Sequence, residues 1–418
     1  MRYIPREIEK QIELFLARRE IIALVGARQT GKTTLLKHLF QRLKKQGKKV
    51  FYLTFEKESD LALFENVEDF KTYYQNYQVI IIDEFHYAQE GGKKLKYLFD
   101  TTPTKFIISG SSSLELTFST GRYLVGRMVK FYLYPFSFGE YLWAKDPSLY
   151  QFHQKFGWDF QEEKLPPITF PFGQAIQKKF QKAAEEYFIL GGYPAIVLAK
   201  SVEEKSKLME GIVENYLLRE ITLLLNLKTK NELLQLTKLL AVQIGNLVNF
   251  QELSSTSRLS YPRLVEHLRI LENTFIISLL TPFYRNPRTE LVKSPKVYFE
   301  DVGWRNWLLG KFILTAGFGN QGNLAENFVF SHLKRKENLE IHYWRTKAKA
   351  EVDFVIEKGG EVIPVEVKYS PAPTLGKSFL SFLSKYQPKL GFILTKNVWE
   401  RRQIGKTEVR FLPLYLLK

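Results

Sequence analysis

The sequence predicts a multidomain α/β protein, and three observations carry that prediction. An apolar strand, IIALV, runs into the loop GARQTGKT and leaves it as a helix with apolar spacing. A second apolar run, VIIID, ends on Asp83 and is followed at once by Glu84. Late in the chain, EVDFVIEKGGEVIPVEVKYS offers two strand-like runs across a Gly-Gly pair, each carrying acids where a buried strand prefers none. The 418 residues leave room for roughly two to four domains. A hydrophobic content of 45% supplies several cores.

The formal charge of +17 favours polyanionic partners, nucleic acid first and an anionic membrane surface second. A Lys-rich surface of the thermophile kind is the plainer explanation. The absence of cysteine excludes disulfides, Cys-ligated zinc and iron–sulfur clusters, and suits a reducing cytoplasm. The opening MRYIPREIEKQIELFLARRE is amphipathic and does not read as a signal peptide. No apolar run approaches the ~20 residues a membrane span needs. The expectation is a cytoplasmic protein without membrane insertion.

The first loop fits G-x-x-x-x-G-K-[ST] from Gly26 to Thr33. Its glycines permit backbone angles that aim successive N–H groups at phosphate oxygens, and the next helix adds its positive N-terminus. Gly26, Ala27, Arg28, Gln29, Thr30, Gly31, Lys32, Thr33 and Thr34 are therefore the expected ATP-binding residues. Lys32 is expected to reach the β- and γ-phosphates, and Thr33 to ligate Mg²⁺. A strand next to the first should supply the remaining acids. VIIIDEF does so, with Asp83 assigned to the Mg²⁺ and Glu84 to the attacking water. That pair marks an ATPase of the RecA/AAA kind. His86, in the string D-E-F-H, receives no catalytic role. KKVFYLTFE and KFIISGSSS read as further strands. Ser109 and Ser111 either sense the γ-phosphate or cap the next helix. Arg122 and Arg127 each follow a glycine, and either is a candidate arginine finger in cis or in trans. A finger in trans requires a homo-oligomer.

Together with YIPREIEKQI, ISGSSS, LVGR followed by LYPFSFGEYL, LGGYPA, YFEDVGW and EVDF…VEVK, these motifs span nearly the whole chain. They resemble a family of bacterial and archaeal AAA-type ATPases that join a P-loop domain to a winged helix and a nuclease-like C-terminal domain. Many of those relatives carry a Gln after the Asp-Glu region. Here His86 lies nearby instead, which leaves the local partner of Glu84 open.

Residues 138–228 look helical but interrupted, with LPPITFPFG breaking any helix. They resemble the helical lid that follows many AAA cores. From residue 229 to 300, three helices precede two strands around a basic turn, the pattern of a winged helix. In its third helix, YPRLVEHLRILENTF, Leu264, Leu268 and Leu271 are expected to face the core. Arg263, Glu266, His267 and Ile270 are expected to face out. Such a helix usually enters a major groove. Arg263 and His267 on the helix, and Arg285, Arg288, Lys293 and Lys296 on the wing, are candidate nucleic-acid contacts. Winged helices also dock proteins, and Glu266 on the reading face does not help DNA binding.

In the opening stretch, alternation places Val352, Phe354 and Ile356 on one face and Asp353 on the other. Gly359-Gly360 can turn the hairpin. Glu366 and Lys368 then join Asp353 on one face. Two carboxylates there can hold Mg²⁺ and activate water, with Lys368 stabilising developing charge. The order of elements resembles the PD-(D/E)xK nuclease core. That resemblance implies a further acid on a preceding helix, and Glu326 fits it.

The expected architecture is thus a RecA/AAA-like P-loop ATPase core (1–137), a helical lid (138–228), a winged-helix domain (229–300) and a C-terminal α/β restriction-endonuclease-like domain (301–418). The leading expected function is an ATPase that engages nucleic acid, coupled or not to metal-dependent cleavage. The alternative is a nucleotide-dependent switch that binds protein partners and cuts nothing.

Overall fold

A computed structural model describes residues 3–110, 123–160, 172–214, 230–284, 294–312, 321–336 and 338–418. Ser111, Arg122, Arg285, Arg288, Lys293 and most of LPPITFPFG lie outside the described residues. The chain folds into two compact units. One contains the residues up to 136 and takes in 269–276. The other contains the remaining described residues, including those from 137 to 214.

The first unit is built on a five-stranded parallel sheet. Its strands are β1 (Ile21–Val25), β2 (Val50–Thr54), β3 (Val79–Asp83), β4 (Lys105–Gly110) and β5 (Met128–Tyr132), in the order β2-β3-β4-β1-β5. β1, β3 and β4 are buried along their whole length, so they read as unbroken apolar runs. The helix Lys32–Lys45 lays Leu35, Leu36, Leu39 and Leu43 into the core with Ile22, Leu24, Ile81 and Ile107. β3 is not the neighbour of β1 as the sequence suggested, because β4 is hydrogen-bonded to both. Apolar runs of equal length carry no signal of lateral order. The segment 269–276 completes this unit. The Phe275 ring meets Tyr132 and Tyr134 edge-on at 6.0 and 6.2 Å.

The second unit holds a six-stranded mixed sheet. Two shorter strands precede it, β6 (Ile277–Leu280) and β7 (Lys296–Phe299), which pair antiparallel with each other. The sheet strands are β8 (Glu340–Arg345), β9 (Glu351–Lys358), β10 (Glu361–Lys368), β11 (Leu390–Thr395), β12 (Glu400–Ile404) and β13 (Thr407–Pro413), in the order β12-β13-β11-β10-β9-β8. β9 and β10 form the expected hairpin, and both turn glycines have positive φ, 58° and 80°. The expected alternation along β9 fails. Trp344 pairs with Val352 and His342 with Val355, so β9 carries one extra residue there. Val352 and Val355 both enter the core around Phe382 and Ile393, while Phe354 packs against Tyr298 and Phe330. A β-bulge re-aims side chains in this way.

The segment expected as a lid packs into the second unit. Trp158 stacks on Phe392 of β11 at 5.1 Å, and Phe180 stacks on Tyr415 at 5.2 Å. Two sequence motifs prove to be caps and joints. SFGE is a capping box: Ser137 Oγ accepts the Glu140 N–H at 3.1 Å, and Glu140 Oε2 accepts the Ser137 N–H at 2.9 Å. LGGYPA meets EDVGW. Asp301 accepts hydrogen bonds from the N–H groups of Gly192 and Trp304 at 2.7 and 2.9 Å. Asn306 donates to the carbonyls of Phe188 and Ile189, the orphan acceptors ending the helix Gln174–Leu190.

Helices Lys230–Val242, Phe250–Ser257 and Tyr261–Asn273 precede β6. On the third, Arg263, Glu266 and Arg269 are exposed. His267 and Ile270, expected to face out, are buried beside Leu264, Leu268 and Leu271. Positions 264, 267, 268 and 271 form one stripe at helical spacing, so the apolar face is wider than its leucines. The His267 ring satisfies itself on the Arg263 carbonyl at 2.7 Å.

Two further histidines are buried in the second unit, His153 against Phe138 and His332 against Phe328. Burial pushes their pKa values down to about 4 and about 3, despite backbone acceptors at Leu417 and Phe328. Both are neutral in the folded state, whereas in the unfolded chain they take protons below about pH 6.5. Their contribution is therefore whole above that pH and is lost as pH falls toward 4 and 3. In urea unfolding, wild type is expected to lose several kcal/mol relative to His332→Gln between about pH 6.5 and 4. Parallel pH profiles would remove these groups from the account.

Candidate nucleotide-binding site

The loop between β1 and the helix Lys32–Lys45 is held by its own backbone. A Cβ at Gly26 would lie 2.2 Å from the Leu133 carbonyl oxygen, so only glycine fits. Gly31 has φ 100°, which an L side chain rarely adopts. Thr30 is buried and its hydroxyl closes the loop on the Ala27 carbonyl at 2.8 Å. The Lys32 ammonium is buried and donates to the carbonyls of Gly26 and Ala27 at 2.9 and 3.0 Å. Arg28 and Thr33 are half-buried, and Gln29 and Thr34 are exposed.

Arg6, given no role from sequence, is one of the fixings of this loop. It is 6% exposed, donates to the carbonyls of Thr30 and Tyr134 at 2.8 and 2.7 Å, and lies over the Phe136 ring. Its fork thus ties the loop to the segment leaving β5. Its place in the YIPREIEKQI motif was the only sequence signal. Arg6→Ala is expected to weaken nucleotide binding by about tenfold, the scale of one or two charge-assisted hydrogen bonds. Arg6→Lys should not restore it, because a single ammonium cannot span both carbonyls. A fluorescent-nucleotide titration reads this, and unchanged affinity in Arg6→Ala would remove Arg6 from the site.

At the carboxyl end of β3, Asp83 is buried and accepts from the Tyr52 hydroxyl at 2.8 Å and from the Ser109 hydroxyl. Ser109 also accepts the Glu84 N–H at 3.1 Å. Ser109, fully buried, therefore bonds to both acidic residues, to the Asp83 carboxylate and the Glu84 backbone. Tyr52 was not foreseen. Its phenol is pushed far up by burial and by Asp83, so it stays a donor.

Glu84 sits at φ 53°, ψ 46°, a left-handed conformation that costs a non-glycine residue about 1 kcal/mol or more. That turn ends the strand at Asp83. Burial works to raise its pKa, but His86 and the charges of Lys32 and Arg28 outweigh burial and hold it below the ordinary value. His86 Nδ1 lies 3.1 Å from Glu84 Oε2, both side chains nearly buried. His86 thus takes the partner position that the sequence left open. Arg127 makes a bidentate pair with Asp100, at 2.9 and 3.2 Å.

A second group of charges lies in the second unit. Lys296, expected on the wing surface, is buried. Its Nζ stands 2.6 Å from Glu351, 3.1 Å from Glu326 and 3.9 Å from Asp353. Its neighbours explain the correction: β7 carries its first side chain inward, where three carboxylates meet it. Asp353 also accepts the Val367 N–H at 2.8 Å, and Lys368 pairs with Glu366 at 2.8 Å. Burial and the Asp353 charge push Glu326 and Glu366 up to about 7. Among the described residues, the group of carboxylate and imidazole atoms that converges within 4.8 Å is instead Glu340, His342 and Glu357, at the more exposed edge formed by β8 and β9.

Residues 18–142 match the family model described as AAA domain. The first unit carries an AAA-type P-loop ATPase core. Residues 181–313 and 321–417 match two models described as domains of unknown function. An uncharacterised protein of Haemophilus influenzae is 25% identical over 95% of this chain and 94% of its own length. An uncharacterised protein of Methanocaldococcus jannaschii is 25% identical over 94% of this chain and 83% of its own. Among solved structures, replication initiator DnaA bound to AMPPCP and single-stranded DNA aligns with TM-score 0.30 and 12% identity, over 65% of this chain and 90% of that one. Cdc6p from Pyrobaculum aerophilum aligns with TM-score 0.28 and 12% identity, over 74% and 96%. Structural similarity of that degree carries no argument about ligand or partner. No helix among the described residues is long and apolar enough to cross a membrane.

Proposed function

We propose that the protein binds and hydrolyses ATP and that its nucleotide state governs engagement of nucleic acid. One observation carries the ATPase part: the Glu84 carboxylate is buried 3.1 Å from His86, and despite burial His86 and the charges of Lys32 and Arg28 hold its pKa below the ordinary value. The loop lysine and the acid that follows β3 therefore act on one another at a single site. The loop amides and Lys32 take the phosphates. Ser109 and Tyr52 fix Asp83, which with Thr33 would hold Mg²⁺. That ion, when bound, neutralises charge on the phosphates and orients them. Glu84 accepts the proton of the attacking water.

Nucleic acid is the partner the charge of +17 favours, with Arg263 and Arg269 exposed along one helix. Glu266, exposed between them, supports the second reading, a switch that docks a protein. ATP turnover with and without single-stranded and double-stranded DNA and RNA tests the proposal, together with binding across a salt series. Each phosphate contact on duplex DNA contributes about −0.9 to the log–log slope. Stimulated turnover with a slope of several units supports nucleic acid. Binding indifferent to salt, with unstimulated turnover, favours the protein partner. Cleavage by Asp353, Glu366 and Lys368 is not part of this reading, because Lys296 is already among the carboxylates.

A further inference from the structure

The acids of the second unit are placed as a metal-dependent centre would need them, but cations of the chain itself already lie against each of them. Glu326 receives Lys296 at 3.1 Å and the Tyr298 hydroxyl at 2.6 Å, both on Oε1. Glu351 receives Lys296 on Oε1 and Arg345 on Oε2, each at 2.6 Å. Asp353 faces Lys296 with Oδ1 and accepts the Val367 N–H with Oδ2. Glu366 pairs with Lys368 through Oε1, while its buried Oε2 has no hydrogen-bond partner among the described residues. Four carboxylates thus meet three cations of the chain itself: Lys296, Arg345 and Lys368.

Lys296 is the central one. It is 1% exposed, and it lies on β7, outside the six-stranded sheet. Burial alone would discharge an ammonium. Three carboxylates within 3.9 Å of its Nζ supply the counter-charge it needs. A divalent ion bound by Asp353 and Glu326 would need their oxygens at about 2.0–2.6 Å. The Lys296 ammonium already lies 3.1 Å from Glu326 and 3.9 Å from Asp353, so such an ion would meet a like charge beside both ligands.

We propose that Lys296 is the resident cation of this cluster, occupying the position a divalent metal would need, so that the native chain binds no metal through Asp353. The residues present do not fit a metal centre while Lys296 is in place. They fit an ionic clasp that fastens β7 to the sheet. Removing one partner of a buried pair exposes the others to a new cation. Lys296→Met therefore converts the clasp into a divalent-ion site, while Lys296→Arg keeps it closed.

This inference rests on the reading of the second unit as non-cleaving, and two separate readouts keep them apart. The full chain, free of nucleotide, is titrated with Mn²⁺ alone, and bound Mn²⁺ is counted by electron paramagnetic resonance. Wild type and Asp353→Asn are expected to bind the same number of ions. Lys296→Met is expected to gain one ion per chain, and Lys296→Met/Asp353→Asn to lose that gain. An ion bound by wild type and lost in Asp353→Asn overturns the proposal. So does a folded Lys296→Met chain with no gain. Should Lys296→Met not fold, the comparison of wild type with Asp353→Asn still decides. The same samples are assayed for Mn²⁺-dependent cutting of DNA and RNA. Cutting by wild type that is lost in Asp353→Asn overturns both readings. An Asp353-dependent ion without cutting overturns only the role of Lys296.

Discussion

Glu84→Gln should keep ATP bound and slow its hydrolysis by about 10²–10⁴-fold, the usual contribution of a positioned general base. The amide preserves size and the contact with His86 but cannot take a proton. The loss therefore falls on turnover and not on affinity. Lys32→Ala should do the reverse and remove tight binding. Its ammonium, now bonded to the carbonyls of Gly26 and Ala27, is the buried cation of the loop. Single-turnover hydrolysis beside equilibrium nucleotide binding separates the two. Wild-type turnover in Glu84→Gln would move the base elsewhere. Lost binding in that variant would mean that Glu84 supports the loop and does no chemistry.

Gly191→Ala should cost the second unit about 3–5 kcal/mol, combining a glycine-only backbone with a steric conflict. Gly191 ends its helix at φ 73°, ψ −165°. A Cβ there would lie 2.1 Å from the Asp301 carboxylate, which cannot retreat without releasing the N–H groups of Gly192 and Trp304. For a unit of this size that is a fall of roughly 10 °C in the melting midpoint. Gly173→Ala is the control. It caps the start of the same helix at φ −74°, with nothing within 4 Å of the added carbon. Equal melting of the two variants would show that the LGGYPA–EDVGW joint is not the constraint described.

The phosphate loop was legible because its chemistry is local. Strand, glycine spacing, lysine and threonine lie within a dozen residues, and each needs only its neighbours to be understood. The place of Asp83 and Glu84 at the end of a buried strand was legible for the same reason. Lateral strand order was not, because β1, β3 and β4 are equally apolar and nothing in them names a neighbour. The hairpin turn at Gly359-Gly360 was legible, but the bulge beside Asp353 was not, since it is a mismatch between two strands and belongs to neither alone. Lys296 shows the limit most plainly. A basic residue after a basic turn reads as a surface contact, and only the fold brings it to Glu326 and Glu351. His86 and Arg6 were visible in motifs, but their partners, Glu84 and the Thr30 carbonyl, become apparent only in three dimensions.

The first unit is completed by a strip of chain that is made late. Phe275 settles on Tyr132 and Tyr134 only after the polypeptide has gone out to build other structure and come back. During translation, residue 276 follows residue 136 by about 140 residues. At about 5–20 residues per second that is a wait of roughly 7–28 s. Throughout that interval the nascent ATPase sheet lacks the Phe275 ring that meets those two tyrosines. A ribosome-stalled chain ending near residue 200 should therefore resist protease less well than one ending near residue 320, although both contain every nucleotide motif.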